Sequence, residues 1–121
     1  MNVEQLIHQV KKRPGMYVGC IELEPVVYFI DGFMFNNFIS GTIDNIEKLF
    51  KEEFHDWVRR QLEERYNIQL EKHHNYMFYI IQVSQNAEER LNIFFNLCDD
   101  FFAEFHEQEE GRVCNKVSDD N

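Results

Sequence analysis

Apolar residues recur every three or four positions along most of the chain, and this spacing predicts amphipathic helices. In the segment 2–11 the apolar positions are helically spaced, and Asn2 with Gln5 forms the pattern of a capping box. The segment 42–66 carries a longer apolar face made of Ile43, Ile46, Leu49, Phe50, Phe54, Trp57, Val58, Leu62 and Tyr66. The segment 86–107, which opens with the capping pattern of Asn86 and Glu89, carries Leu91, Phe94, Phe95, Cys98, Phe101, Phe102 and Phe105.

The segment 24–40, EPVVYFIDGFMFNNFIS, differs from these because it is apolar nearly all round. A helix of this kind is expected to be buried on most of its faces, so we predict that it lies at the centre of the domain. The helices over 43–66 and 86–107 would pack around it. Within it, Gly32 indicates a close approach by another helix, and Asp31 would be a buried acceptor, bonded to Arg13 or to a backbone N–H.

The remaining segments connect these helices. Pro14-Gly15 predicts a type II turn with Gly15 at positive φ, followed by an extended stretch over 16–18. The segment 76–83, YMFYIIQV, has the composition of a strand, but a lone strand would lack a partner, so a short helix is predicted. We expect an all-α, single-domain bundle of about five helices around 24–40. The helical domain covers 1–107, and 108–121 forms a flexible acidic tail.

Charge narrows the classes of function. The chain of 121 residues has 22 acidic and 12 basic side chains, for a formal charge of −10. This balance argues against binding to nucleic acid, which requires a basic surface, and it suits a basic protein partner. An acidic domain without such a partner is the alternative.

The three cysteines are widely spaced and odd in number, so we expect reduced thiols and a cytoplasmic protein. Neither a signal peptide nor a membrane-spanning segment is indicated, so we expect no membrane association.

Candidate chemical groups do not form a recognised site in the sequence. His55, His73, His74 and Cys98 lack the spacing of metal ligands, so no metal and no cofactor are expected. Cys98 lies in an apolar stripe, where a free cysteine behaves as a small hydrophobic residue. Carboxylates are too abundant for any pair to stand out. The sequence therefore predicts a protein without enzyme activity.

The segment Arg13-Pro14-Gly15-Met16-Tyr17-Val18-Gly19 resembles a motif near the N-terminus of the ATPase domain of DNA gyrase B. In that family the following helix carries the glutamate and asparagine that activate water and bind magnesium. Here the comparable run is 28–33, YFIDGF, and the later Asp-x-Gly-x-Gly nucleotide loop is absent. The segment is therefore interpreted as a structural link between two helices, without ATP hydrolysis.

A second resemblance covers residues 3–106. A group of small bacterial proteins shares the RPGMY-[VIL]-G pattern, a helix ending in F-[IL]-D-G-[FY], the pattern F-x-x-[FW]-[VI] and a Phe-rich final helix. This chain has the matching segments 29–33, 54–58 and 94–97. The group resembles immunity proteins encoded beside polymorphic or contact-dependent growth-inhibition toxins. The resemblance implies a cytoplasmic protein that binds and neutralises a cognate toxin.

From this resemblance and the charge we predict that the toxin is a basic nuclease domain, inhibited by occlusion, and that the inhibitor is a monomer or weak dimer. The predicted contacts are acidic residues on the outer faces of two helices: Asp99, Asp100, Glu104, Glu107, Glu52, Glu53, Asp56 and Glu63. The alternative is a regulatory or scaffolding module that binds another acceptor, or a homodimer formed through exposed Tyr76 and Tyr79.

Overall fold

The computed structural model describes residues 1–119, with side chains through Glu109, and in this part the chain is all-helical. The prediction of an all-α fold is confirmed, with six helices in the described residues where about five were expected. These helices are α1 (Val3–Lys12), α2 (Pro14–Val18), α3 (Leu23–Ser40), α4 (Asn45–Tyr66), α5 (Tyr76–Val83) and α6 (Ala87–Asp119). The assignment of 76–83 as a helix is confirmed.

The additional helix is α2, where the sequence predicted a type II turn. Pro14 occupies its first turn, a position that suits proline because its fixed φ is helical and no N–H is needed there. Gly15 is helical, and it is Gly19, with φ of 78°, that takes the left-handed conformation and ends the helix. The prediction of positive φ at Gly15 and an extended stretch after it is therefore wrong.

Side-chain caps explain where several helices begin. The Asn2 side chain accepts from the Gln5 backbone N–H at 2.9 Å, and the Gln5 side chain accepts from the Asn2 N–H at 2.9 Å, which confirms the capping box. Asp44, Asn75 and Asn86 cap the first turns of α4, α5 and α6 in the same way. Each bond satisfies a backbone donor that the first turn of a helix leaves free.

The core is an aromatic cluster between α4, α5 and α6. Phe54 is fully buried at its centre, and its ring lies 4.5 Å from that of Phe50, 5.0 Å from Tyr76 and 5.2 Å from Phe101. Helix α1 adds Val3, Leu6, Ile7 and Val10 from one side. The core is therefore organised by α4 and α6, whose apolar stripes the sequence identified.

Helix α3 is not confirmed as the central helix. Its buried residues, Leu23, Val26, Val27 and Ile30, all lie in its first half. In its second half, Phe33 and Met34 are only partly buried, and several other apolar side chains are exposed. A Cβ atom added at Gly32 would meet nothing within 4 Å, so no helix approaches closely there. Asp31 is exposed rather than enclosed in the core. The C-terminal half of α3 thus leaves apolar side chains uncovered.

The flexible tail predicted for 108–121 stays a prediction. The backbone is helical through Asp119, and residues 120–121 lie outside the described residues.

In the part of the chain that the structure describes, no helix has both the length and the apolar character needed to cross a membrane.

Candidate functional site

Four large apolar side chains on α3 face solvent along one side of the helix. The exposed fractions are 58% for Tyr28, 63% for Phe35, 60% for Phe38 and 67% for Ile39. Their spacing of seven, three and one residues places them on one face, with Gly32 between the first two. We call these four residues the α3 stripe. Contiguous exposed apolar surface is typical of interaction sites, whereas single exposed hydrophobic residues are common everywhere.

A cleft of about 480 Å³ lies beside the α3 stripe, between α3, α4 and the start of α5. Two members of the stripe, Phe35 and Phe38, form part of its wall. The other lining residues are Val27, Asp31 and Met34 from α3, Phe50, Lys51 and His55 from α4, and Asn75, Tyr76 and Met77 at the start of α5. The cleft is therefore largely apolar, with a few polar groups at defined places, as small binding sites usually are.

His55 connects α4 to the start of α5. Its Nδ1 accepts a hydrogen bond from the Tyr76 backbone N–H at 3.0 Å, and its ring stacks on the Tyr76 ring at 5.1 Å. Because Nδ1 is an acceptor, the proton of the neutral imidazole is on Nε2. Burial lowers the pKa of His55, and the charge of Asp31 only partly opposes this effect.

Asp31 is the acidic group of the cleft. Among the described residues it makes neither a hydrogen bond nor an ion pair. Partial removal from water raises the pKa of its carboxyl, and His55 opposes this with a smaller effect. Arg13 is not its partner, which corrects the prediction of a bonded acceptor in the core. Asp31 is therefore a carboxylate that would gain from an opposite charge.

Tyr76 forms the floor of the cleft. It is 3% exposed, and within the described part of the chain its hydroxyl has no hydrogen-bond partner. Burial raises its pKa well above the usual 10.0, and the charge of Asp31 adds to this. A buried hydroxyl without a partner costs about 1–3 kcal/mol of stability, and the protein encloses this one.

A second groove, of about 410 Å³, lies on the other side of Phe38 and shares Met34, Phe38 and Lys51 with the cleft. It contains Glu47, which is 2% exposed. One oxygen of Glu47 accepts from the Asn37 side chain at 2.8 Å, and the other has no hydrogen-bond partner in the described residues. The groove is also lined by Lys48, Lys51 and Glu52, so acidic and basic groups both border the apolar stripe.

Most of the acidic residues predicted as contacts have partners within the chain. Asp99 pairs with Lys11, Asp100 pairs with Arg65 at 2.7 Å, and Glu104 accepts from the Trp57 indole N–H at 2.8 Å.

On α4, Asp56 pairs with Arg59 and Arg60, and Glu63 pairs with Arg59 and accepts from the Leu70 backbone N–H. These five acids are thus engaged in intramolecular contacts, of which the Asp56–Arg60 pair follows from the i,i+4 spacing in the sequence.

The other three predicted contacts are open. Glu52, Glu53 and Glu107 are exposed and, in the described residues, have no hydrogen bond or ion pair. Glu53 and Glu104 line the same narrow groove between α4 and α6, whereas Glu52 lines the groove of Glu47. Of the predicted acidic residues, only Glu53 and Glu104 therefore line a common groove between α4 and α6. Binding of a toxin by these residues stays a prediction.

Other candidate groups lie away from the cleft or inside the core. Tyr76 and Tyr79 are 3% and 1% exposed, so the prediction of exposed tyrosines that could form a dimer is wrong. Cys98 is fully buried in the core, as its position in an apolar stripe predicted. His74 stacks on Phe78. No group of three or more histidine, cysteine or acidic side chains in the described chain is arranged to hold a metal ion.

The sequence missed the α3 stripe and the cleft beside it. Asp31 was identified as unusual because it lies inside an apolar segment, but the predicted buried, bonded acceptor is not found. The exposure of Phe35 and Phe38 left no signal, because a segment that is apolar on all sides does not show which side will be covered.

The lowered pKa of His55 makes stability depend on pH. In the unfolded chain the histidine takes up its proton at about pH 6.5, above its folded pKa, so acidification through this range favours unfolding. The raised pKa of Asp31 has the opposite sign: its contribution to stability falls as pH rises from about 3.8. On acidification, His55 therefore lowers the stability of the fold, whereas Asp31 raises it.

We expect the His55→Asn variant, whose amide oxygen can still accept from Tyr76, to lose less stability than the wild type between about pH 7.5 and about pH 5.5. Urea unfolding at both pH values measures this. His8→Asn, at an exposed position on α1, is the control and should behave as the wild type does. Equal pH slopes for the wild type and His55→Asn would contradict a neutral, buried His55.

The fold and the site together define an all-α protein with an exposed apolar stripe beside a cleft that holds one unpaired acid. Searches of protein-family models, of curated proteins and of solved structures found no match to this chain.

Proposed function

We propose that this chain is an immunity protein that binds a basic bacterial toxin domain in the cytoplasm and inhibits it by occlusion. The class of toxin that we propose is a nuclease. The observation that carries the proposal is the α3 stripe, an exposed apolar surface beside an open cleft, on a chain of formal charge −10. The proposed role is binding, without catalysis.

The arrangement of the stripe has the anatomy of a protein interface. Interfaces combine an apolar centre, rich in aromatic residues, with a polar rim. Phe35, Phe38 and Ile39 supply the centre, and the acidic groups Asp31 and Glu52 lie at its edges. Helix α3 itself carries Glu24 and Asp31 but no lysine or arginine.

The charge of the chain supports a basic partner. A basic toxin domain would be attracted over a distance comparable to the Debye length, roughly 8–10 Å at moderate salt, and this steering accelerates association. The open acids Glu52, Glu53 and Glu107 would contribute to this steering, whereas the α3 stripe would supply the contacts that hold the complex together. This division adds the α3 stripe to the acidic contacts predicted from the sequence.

The position of Asp31 argues against pairing of two copies through the stripe. Asp31 is next to Gly32, near the middle of the exposed face. In a symmetric antiparallel pair of α3 helices, the residues near the middle meet their own copies, so two carboxylates would approach each other. Like charges at an interface are unfavourable, so a different, basic partner suits this face better than a second copy.

Co-expression tests the proposal. The C-terminal domain encoded by the reading frame immediately upstream of this gene would be induced in a bacterial host, with and without this chain. We expect growth to stop when the domain is expressed alone and to recover when this chain is present. Growth arrest that this chain does not relieve, or an upstream domain that is harmless, would contradict the proposal and favour the regulatory or scaffolding alternative.

Two variants connect rescue to the stripe. The double variant Phe35→Ser/Phe38→Ser is expected to lose most of the rescue, because it replaces the apolar centre of the surface. Ile81→Ser, which changes a 43% exposed apolar residue on α5, is the matched control and should rescue fully. Full rescue by the double variant would remove the stripe from the binding site.

A further inference from the structure

The cleft beside the α3 stripe has features that specify the chemistry of what enters it. Its wall contains the two exposed rings of Phe35 and Phe38, and its floor is Tyr76. Asp31 supplies a carboxylate without an ion pair or hydrogen bond in the described residues. An acid and two aromatic rings therefore border one space.

We propose that this cleft receives an arginine side chain of the protein partner, whose guanidinium donates to the Asp31 carboxylate and stacks on Phe35 or Phe38. This inference rests on the proposed function and specifies the partner chemically, as a protein that presents an exposed arginine to the α3 stripe.

Hydrogen-bonding capacity supports this assignment. A guanidinium has five N–H donors in one plane, so it can donate two parallel bonds to one carboxylate. Asp31 contributes two acceptor oxygens that no described residue uses. Arginine is also more weakly hydrated than lysine and stacks on aromatic rings, which suits a half-buried apolar cleft.

The aromatic wall already holds a cation in the free protein. The ammonium of Lys51 lies 5.3 Å from the centre of the Phe38 ring, on the side where the cleft meets the second groove. The Phe38 ring therefore lies in a position that a positive charge can reach. No hydrogen bond or ion pair joins Lys51 to Asp31 in the described residues. The Asp31 carboxylate is therefore available to a second, external cation.

An anionic ligand is the opposing possibility, because Lys51 and the first turn of α5 also border the cleft. The charge of Asp31 disfavours it: an anion beside Asp31 would bring two negative charges together in a partly desolvated space. No described salt bridge offsets that charge, and the effect of His55 on the pKa of Asp31 is smaller than that of burial. The cation is thus the favoured occupant.

Binding of a small probe tests the inference without the toxin. L-argininamide would be titrated into the protein at constant ionic strength, with the NMR signals of the His55 imidazole and of the Tyr76 and Met77 amides as the readout. L-citrullinamide, which has nearly the same shape without the positive charge of the side chain, is the matched probe. We expect saturable shifts with argininamide and affinity at least about tenfold weaker with citrullinamide, as the loss of a charge-assisted hydrogen bond implies.

The Asp31→Asn variant is expected to lose the argininamide response while its own spectrum stays folded. Glu24→Gln, which removes the same charge seven positions earlier on α3, is the control and should bind as the wild type does. Equal shifts with citrullinamide, an unchanged response in Asp31→Asn, or shifts of the same signals by acetate would each overturn the assignment of the cleft to an arginine.

The two proposals fail in different ways. If argininamide binds but growth is not rescued, the cleft is a guanidinium site on a protein that is not an immunity protein. If growth is rescued and Asp31→Asn binds the toxin domain as tightly as the wild type, the function stands and the arginine assignment is wrong. The supporting result is rescue together with a loss of toxin affinity of roughly 30-fold or more in Asp31→Asn, as expected when one member of a buried charge pair is removed.

Discussion

Replacing Phe54 by alanine is expected to lower the free energy of unfolding by about 3–5 kcal/mol, the usual cost of deleting a buried phenylalanine ring. Phe54 is 0% exposed, and its ring contacts side chains from three helices: Phe50 and Trp57 on α4, Tyr76 on α5, and Phe101 on α6. The cavity would lie where these helices meet, so the surrounding rings cannot close it without separating from one another.

Thermal unfolding followed by circular dichroism measures this effect. For a domain of this size, a loss of this magnitude corresponds to a decrease in Tm of roughly 10–20 °C. Because small domains are stable by only about 5–15 kcal/mol in total, the variant is expected to be partly unfolded near physiological temperature.

Phe38→Ala is the matched control for this prediction. It makes the same chemical change at a ring that is 60% exposed on α3, so we expect a change of less than about 1 kcal/mol in the free energy of unfolding. Similar losses in the two variants would mean that α3 is as central to the core as its composition suggested. A large loss in Phe54→Ala together with a small change in Phe38→Ala would instead place the core between α4, α5 and α6.

The second large effect concerns the acidic residues on the last helix. Reversing Asp99, Asp100 and Glu104 together to lysine is expected to lower the free energy of unfolding by roughly 2–4 kcal/mol. Two of the new lysines would face the cations that now pair with these acids, Lys11 and Arg65. The third substitution, at Glu104, would remove the acceptor of the Trp57 indole N–H. The exposed ion pairs contribute little of this total, and the partly buried Trp57 bond contributes most.

Glu52→Lys, Glu53→Lys and Glu107→Lys form the matched triple variant, with the same change in net charge. These acids have no ion pair or hydrogen bond in the described residues, so we expect a change of less than about 1 kcal/mol. Urea unfolding of both variants gives the comparison. Equal stability would show that the pairs of Asp99 and Asp100 and the bond of Glu104 do not contribute to the fold. The second triple is also the cleaner test of electrostatic steering, because the fold is not altered with the charge.

The helices that were predicted well are those whose signals are local. Asn2, Asn86 and the apolar stripes of α4 and α6 identify their helices because capping and side-chain direction depend on residues within one or two turns. The Pro14-Gly15 turn was predicted wrongly because its local signal fits two different structures. Proline is equally suited to the first turn of a helix and to a type II turn, and the following residues decide between them.

The features that could not be predicted depend on contacts between distant residues. Lys11 and Asp99 are 88 positions apart, and nothing near either residue indicates the other. Helix α3 was misplaced because burial was inferred from composition alone. An apolar segment can be covered by its own chain or by a partner, and the sequence of one chain does not distinguish these outcomes.

The bond between Trp57 and Glu104 has a practical consequence. The chain has a single tryptophan, so its intrinsic fluorescence on selective excitation comes from one indole, held at the junction of α4 and α6. That indole is 6% exposed and lies 6.0 Å from the ring of Phe54. Its emission wavelength therefore reports water entry at this junction directly, and no label is needed to observe whether the two longest helices separate.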